Sequence, residues 1–158
     1  INKNFLTFNN YKVKCAIGKR GIGQKLKEGD FITPIGEFKI KYLFYRKDRI
    51  KIQSVLRKIS IKRNMGWCDD PKSKKYNQLI YLPSSYSYEK LFRRENVYDI
   101  ILVLNYNMRP IKKNKGSAIF IHVANKNYKK TEGCIALGKK DLRKILKLVN
   151  KKTIVKIT

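Results

Sequence analysis

The protein's single histidine, His122, stands twelve residues ahead of Cys134. His122 ends the apolar stretch Ser117-Ala-Ile-Phe-Ile-His122, and Cys134 opens another within Thr131-Glu-Gly-Cys-Ile-Ala-Leu137. A cysteine and a histidine at the ends of neighbouring strands are the minimum equipment of a thiol nucleophile. The thiolate is the reactive form, and at neutral pH it needs a base or a positive field to make it. Gly133, with no side chain, leaves room for backbone to approach a substrate. Thr131 offers a hydroxyl at the same bend. Taken singly, each residue has a plainer reading: a lone cysteine is usually a small buried hydrophobe, and a lone histidine a satisfied core residue. The pairing favours chemistry. A third group must orient the imidazole. No carboxylate lies at obvious spacing, and Glu132 is too near the nucleophile for that role, so a backbone carbonyl could serve instead.

Positioning such a pair requires strands that end together. Tyr98 to Leu104 and Gly116 to Val123 are strongly apolar without alternation, which reads as central strands buried on both faces. Phe5 to Phe8 and Tyr11 to Ile17 read as a hairpin around Asn9-Asn10. Glu37 to Tyr45 alternates Phe38, Ile40, Tyr42 and Phe44 with mostly polar partners, a strand with one buried face. Thr153 to Ile157 closes the chain as another strand. After Gly138, Leu142, Ile145, Leu146 and Val149 recur at helical steps, giving an amphipathic helix over 139–150, with Asp141 near its positive end. Tyr88 to Arg94 reads as a second, short helix. Arg46 to Arg63 is irregular, and Gly66 to Asn77 reads as loop. The basic, glycine-rich 18–23 stretch lacks the spacing of a nucleotide-binding fingerprint and reads as a turn. Proline fixes the Thr33-Pro34-Ile35-Gly36 bend. The expectation is one mainly β domain over 1–158, with one firm C-terminal helix.

The chain has 158 residues and a formal net charge of +27. No apolar run reaches the roughly 18 residues of a membrane span. Such charge attracts polyanions: nucleic acid, anionic lipid or an acidic wall polymer. Lysines far outnumber arginines, however, and Ile, Asn and Tyr are abundant. An AT-rich genome imposes the same profile on exposed positions. Base-edge recognition favours arginine, and no nucleic-acid-binding signature is visible, so specific nucleic-acid binding is not expected. Cysteines at 15, 68 and 134, an odd count with no Cys-x-x-Cys, make neither a disulfide framework nor a zinc site. Cys15 and Cys68 could still pair. The chain begins with Ile1, so a removed export signal is conceivable but unseen.

His122, Thr131-x-Gly133-Cys134, and upstream Gly29-Asp30 with Thr33-Pro34-x-Gly36-x-Phe38, resemble the YkuD-type L,D-transpeptidase catalytic domain. Further pieces are similar to one branch of that family: Trp67-Cys-Asp-Asp70-Pro71, Tyr76-Asn77, the strand ending in Tyr106-Asn107, and Gly116 to His122. The resemblance keeps its motifs in order from about residue 11 to the end.

It implies a β-sandwich or barrel-like YkuD fold and an enzyme that cross-links bacterial peptidoglycan. The cysteine attacks the amide after the third residue of a tetrapeptide stem and expels the terminal D-alanine. The amine of a second stem then resolves the thioester. By motif, Cys134 is the nucleophile, His122 the base, and Gly133 a source of backbone N–H near the oxyanion. Trp67, Asp69, Tyr76 and Asn77 become candidate substrate contacts, as does Lys129 in the loop between base and nucleophile. No metal or cofactor is implied, and the expected setting is the cell envelope, outside the cytoplasm, as a monomer with peripheral contact to anionic polymers.

In two places the chain departs from the commonest motif, which has histidine before the Gly-Cys and arginine two residues after the cysteine. Here Glu132 and Ala136 stand there. Acyl transfer survives that change, but an arginine would clamp a substrate carboxylate, and the sequence names no replacement. An L,D-carboxypeptidase or amidase on the same site, or an idle basic binding protein, are the rival readings.

Overall fold

The computed structural model describes residue 1 and residues 4–158. Its strands are β1 (Phe5–Phe8), β2 (Tyr11–Ala16), β3 (Ile22–Gly23), β4 (Thr33–Pro34), β5 (Gly36–Tyr45), β6 (Lys58–Ser60), β7 (Met65–Cys68), β8 (Leu79–Tyr81), β9 (Tyr88–Lys90), β10 (Ile100–Leu104), β11 (Phe120–Val123), β12 (Ile135–Leu137) and β13 (Ile154–Ile157). A single α-helix among the described residues, α1 (Lys139–Leu148), follows β12, and a short 3-10 turn, Asn96–Tyr98, precedes β10. The main sheet runs β1-β2-β12-β11-β10-β5-β13, with β6 also paired to β5. Two small sheets, β3-β4 and β8-β7-β9, complete the mainly β fold.

The non-alternating runs lie at the centre of the main sheet, where every residue of β10, β11 and β12 is buried. The period of two divides their side chains between two cores. Ile100, Leu102, Leu104, Ile121, Val123, Ile135 and Leu137 share one core with Leu142, Ile145 and Leu146 of α1. Ile101, Val103 and Phe120 share the other with Met65, Trp67, Leu91 and Tyr98. The first face is covered by the helix. The second, covered by the β7–β9 sheet, is where chemistry can be housed.

β5 departs from its expected single buried face. Its pairing to β10 slips so that Val103 faces Tyr42 while Leu104 faces Ile40. The extra residue, Lys41, transfers Phe38 and Ile40 to the helix-side core while Tyr42 and Phe44 stay on the other. A bulge of this kind changes the side-chain face without breaking the strand.

The second expected helix is absent. Tyr88–Lys90 is strand β9, paired to β7 through Cys68↔Tyr88, Trp67↔Glu89 and Gly66↔Lys90. The helix-forming Glu-Lys-Leu composition yields to strand pairing against Trp67, a tertiary override of weak local preference. The same pairing makes Met65–Cys68 a buried strand instead of loop. Cys15 and Cys68 are separate free thiols, both buried.

Candidate active site

β11 and β12 run parallel, with Ile121 opposite Ile135 and His122 opposite Ala136. Cys134 lies one residue before β12. Alternation therefore puts Phe120, His122, Cys134 and Ala136 on the face away from α1. Neighbouring strands about 4.8 Å apart and a two-residue offset place the His122 and Cys134 Cα atoms about 8 Å apart. Both side chains line one cleft of about 380 Å³, together with Glu89, Arg93, Tyr98 and Lys129.

The thiol is half-buried and donates to the Ala118 carbonyl at 3.1 Å. Burial pushes its pKa up to about 12, against a weaker opposing effect from a Phe120 backbone hydrogen bond. His122 is buried, and its Nδ1 lies 3.0 Å from the Val123 carbonyl. A carbonyl only accepts, so Nδ1 carries the proton and Nε2 the lone pair. A main-chain carbonyl thus takes the orienting place that no carboxylate fills. Burial lowers the ring's pKa to about 4, while the Val123 and Val97 carbonyls favour its protonated form. Tyr98 stacks edge-on against the ring, with centroids 5.3 Å apart. Both groups are accordingly neutral at rest: a thiol and an imidazole in one cleft, without a preformed ion pair.

The turn before Cys134 is fastened at several points. Thr131 Oγ1 donates to the Cys134 carbonyl at 2.5 Å and accepts the Gly133 N–H at 3.2 Å. Thr33 Oγ1 donates to the Gly133 carbonyl at 2.9 Å and accepts the Gly18 N–H at 2.8 Å. Gly133 adopts φ +141, and a Cβ there would lie 2.9 Å from the Ile32 carbonyl. At Gly18 a Cβ would fall 2.3 Å from the Phe31 carbonyl, so the 18–23 stretch, read as a plain turn, backs closely onto the segment around Phe31–Thr33.

That segment is held by a buried ion pair the sequence did not single out. Lys25 Nζ donates to Asp30 Oδ1 at 2.6 Å, and both side chains are 2% exposed. Asp30 Oδ2 also accepts the Leu26 N–H at 2.8 Å, and Oδ1 the Ile32 N–H at 3.1 Å. Burial alone would raise the Asp30 pKa, but these hydrogen bonds outweigh it and hold the carboxyl below its ordinary value.

The other candidate contacts are dispersed. Trp67 and Tyr76 are each 1% exposed and Asn77 2%. The Trp67 indole N–H donates to Asn77 Oδ1 at 3.0 Å, and the Tyr76 hydroxyl donates to Glu28. These three brace loops instead of lining the cleft. Asp69 accepts the Ser87 hydroxyl at 2.6 Å, outside the cleft. Lys129 is exposed and does line it. Arg93 and Glu89, paired in the cleft, were hidden in the stretch read as a helix; their distance in sequence from His122 gave no signal.

A family model described as the L,D-transpeptidase catalytic domain, YkuD, matches residues 2–157. A comparison with curated proteins found no match. A match over nearly the whole length shows the relationship that the cleft alone could only suggest: the chain belongs to the YkuD family of L,D-transpeptidase catalytic domains.

Proposed function

We propose that this protein is a peptidoglycan L,D-transpeptidase in which Cys134 is the nucleophile and His122 its base. The observation that carries this reading is the placement of both side chains on one face of paired parallel strands, opening into the same cleft. A thiol held neutral by burial is protected until substrate arrives. The His122 Nε2 lone pair then takes the thiol proton as sulfur attacks the carbonyl after the third stem residue. The Gly133 turn lies beside the developing oxyanion, with its N–H lightly held by Thr131. Collapse expels D-alanine, whose nitrogen takes the proton from imidazolium, and leaves a thioester on Cys134. The amine of a second stem, deprotonated by His122, attacks the thioester and releases the thiol. Backbone carbonyls favouring the protonated ring support the transient imidazolium.

Wall peptide as substrate sets the working place in the cell envelope, outside the cytoplasm. No helix among the described residues is long and apolar enough to cross a membrane. Mass spectrometry of purified muropeptides incubated with the protein tests the reaction. Cross-linked dimers joined through the third residue support transpeptidation. Tripeptides alone indicate water as acceptor and a carboxypeptidase, and cleavage at another wall linkage indicates an amidase. An unchanged mixture refutes catalysis.

A further inference from the structure

Ala136, two residues after the cysteine, leaves the cleft without the arginine usual at that position. Its register partner is His122, so a longer side chain there would enter the cleft beside the base. The opposite wall supplies a guanidinium. Arg93 lines the same cleft as Cys134 and His122. Its Nε donates to the Lys90 carbonyl at 3.0 Å, and its guanidinium lies over the Tyr98 ring at 4.7 Å. Tyr98 in turn stacks against His122. The Arg93 main chain is also clamped, because Arg46 Nη1 donates to its carbonyl at 2.6 Å. One further Arg93 contact is an ion pair from Nη2 to Glu89, whose carboxylate also accepts the Tyr98 hydroxyl at 3.1 Å.

The guanidinium is thus held on a fixed backbone, stacked on an aromatic ring, and already facing a carboxylate inside the cleft. Its fork carries five N–H donors, and the contacts to Lys90 and Glu89 use Nε and Nη2. Nη1 and the exposed edge remain available, since the side chain is 36% exposed. Lys129 and Lys130 reach the same cleft, but as exposed point charges without a planar fork. Glu89 occupies the geometry of a substrate carboxylate and has the Tyr98 hydroxyl as a second partner, so an entering anion can share the guanidinium without leaving Glu89 unpaired.

We propose that Arg93 anchors the C-terminal carboxylate of the donor peptide, supplying from the segment after β9 what the position after the cysteine lacks. This rests on the transpeptidase reading in one respect, that the residue leaving is the terminal one. Its carboxylate then lies within one residue, about 3.8 Å of chain, of the attacked carbonyl. Arg93 therefore selects peptides ending in a free acid and sets where the scissile bond stops relative to sulfur.

The test is a binding measurement that needs no turnover. Calorimetry with the Cys134→Ala protein compares a tetrapeptide stem, a diamino acid at position three and D-alanine at its end, as free acid and as C-terminal amide. The acid should bind about 10- to 100-fold more tightly, the range of a charge-assisted bidentate pair. Adding Arg93→Gln should reduce that ratio to about 2-fold or less. Arg93→Lys should recover part of it, as charge without the fork. An unchanged ratio in the Gln variant, equal weakening of both peptides, or no binding of the acid overturns the proposal. Failure of the wild-type protein to release D-alanine from the acid peptide is a separate result: it refutes the transpeptidase reading while the binding ratio still judges Arg93.

Discussion

Asn77 reads in sequence as a substrate contact, and the structure makes it a buried pin, so replacing it separates the two roles. Its Oδ1 accepts the Trp67 indole N–H at 3.0 Å and the Ala118 N–H at 3.1 Å. Its Nδ2 donates to the Tyr106 and Asn107 carbonyls at 3.0 and 2.8 Å. Asn77→Ala strands two buried donors, each costing about 1–2 kcal/mol, while the carbonyls with their second lone pairs suffer less. The residue also sits at φ +56, where alanine pays roughly 1 kcal/mol that asparagine largely avoids. The expected loss is about 3–5 kcal/mol, or a melting temperature lower by about 10–15 °C for a domain of this size. Asn77→Gly removes the same bonds without the left-handed penalty and should be no more destabilising than the alanine variant. Because Ala118 carries the carbonyl that accepts the Cys134 thiol, alkylation of Cys134 should also change in rate. Urea unfolding followed by circular dichroism, with alkylation mapped by peptide mass spectrometry, reads both. A stability loss below about 1 kcal/mol, with substrate KM alone raised, would refute the pin and restore the contact.

The pH dependence of Cys134 alkylation should rise continuously from pH 6 to 9, since burial holds the thiol near 12 and the imidazole near 4; a plateau through neutral pH would mean a resting ion pair. His122 also links stability to pH: the unfolded chain binds its proton near pH 6.5 and the folded one only near 4. Its contribution, on the order of 3 kcal/mol, is therefore complete above about 6.5 and is lost as pH falls towards 4, and acid titration of His122→Gln should lack that slope. Lys25→Met leaves Asp30 buried without its cation and should lower unfolding free energy by about 3–5 kcal/mol, with Lys25→Met/Asp30→Asn, which removes the charge but keeps an acceptor for the Leu26 and Ile32 N–H groups, recovering part of it; equal losses in both variants would contradict the ion-pair account. Raising salt from low to physiological should weaken binding to whole sacculi more than to isolated muropeptides, because exposed lysines are screened over about 8–10 Å. An equally strong effect on the small peptide would mean that exposed lysines contribute nothing to holding the wall polymer beyond what the peptide itself binds.

What the sequence revealed was whatever burial writes into a single strand or helix. Ile100–Leu104 and Phe120–Val123 are apolar at every position because both sheet faces are covered. Leu142, Ile145 and Leu146 repeat at helical spacing because α1 buries one stripe. His122 and Cys134 were visible as a pair because few residue types do thiol chemistry. What stayed hidden depends on partners distant in sequence. Tyr88–Lys90 becomes strand only because Trp67 lies across from it, and Arg93, following that strand, reaches the His122 cleft through the same pairing. Lys25 looked like one lysine among many, and only its 2% exposure beside Asp30 distinguishes it. The slip at Lys41 likewise arises from β10, with nothing in β5 alone to announce it.

The central claim, that Cys134 carries the acyl group, is tested most directly by intact-mass analysis of the protein quenched during reaction with a tetrapeptide stem, followed by peptide mapping. The account predicts a thioester-linked tripeptidyl adduct on Cys134 that raises the protein's mass by that of the stem less D-alanine, the thiol hydrogen leaving with the released D-alanine. It should be absent from Cys134→Ala and labile to hydroxylamine, and Cys15→Ala and Cys68→Ala should leave it intact. Product formed at an undiminished rate by Cys134→Ala, or an adduct mapping to another residue, would contradict it.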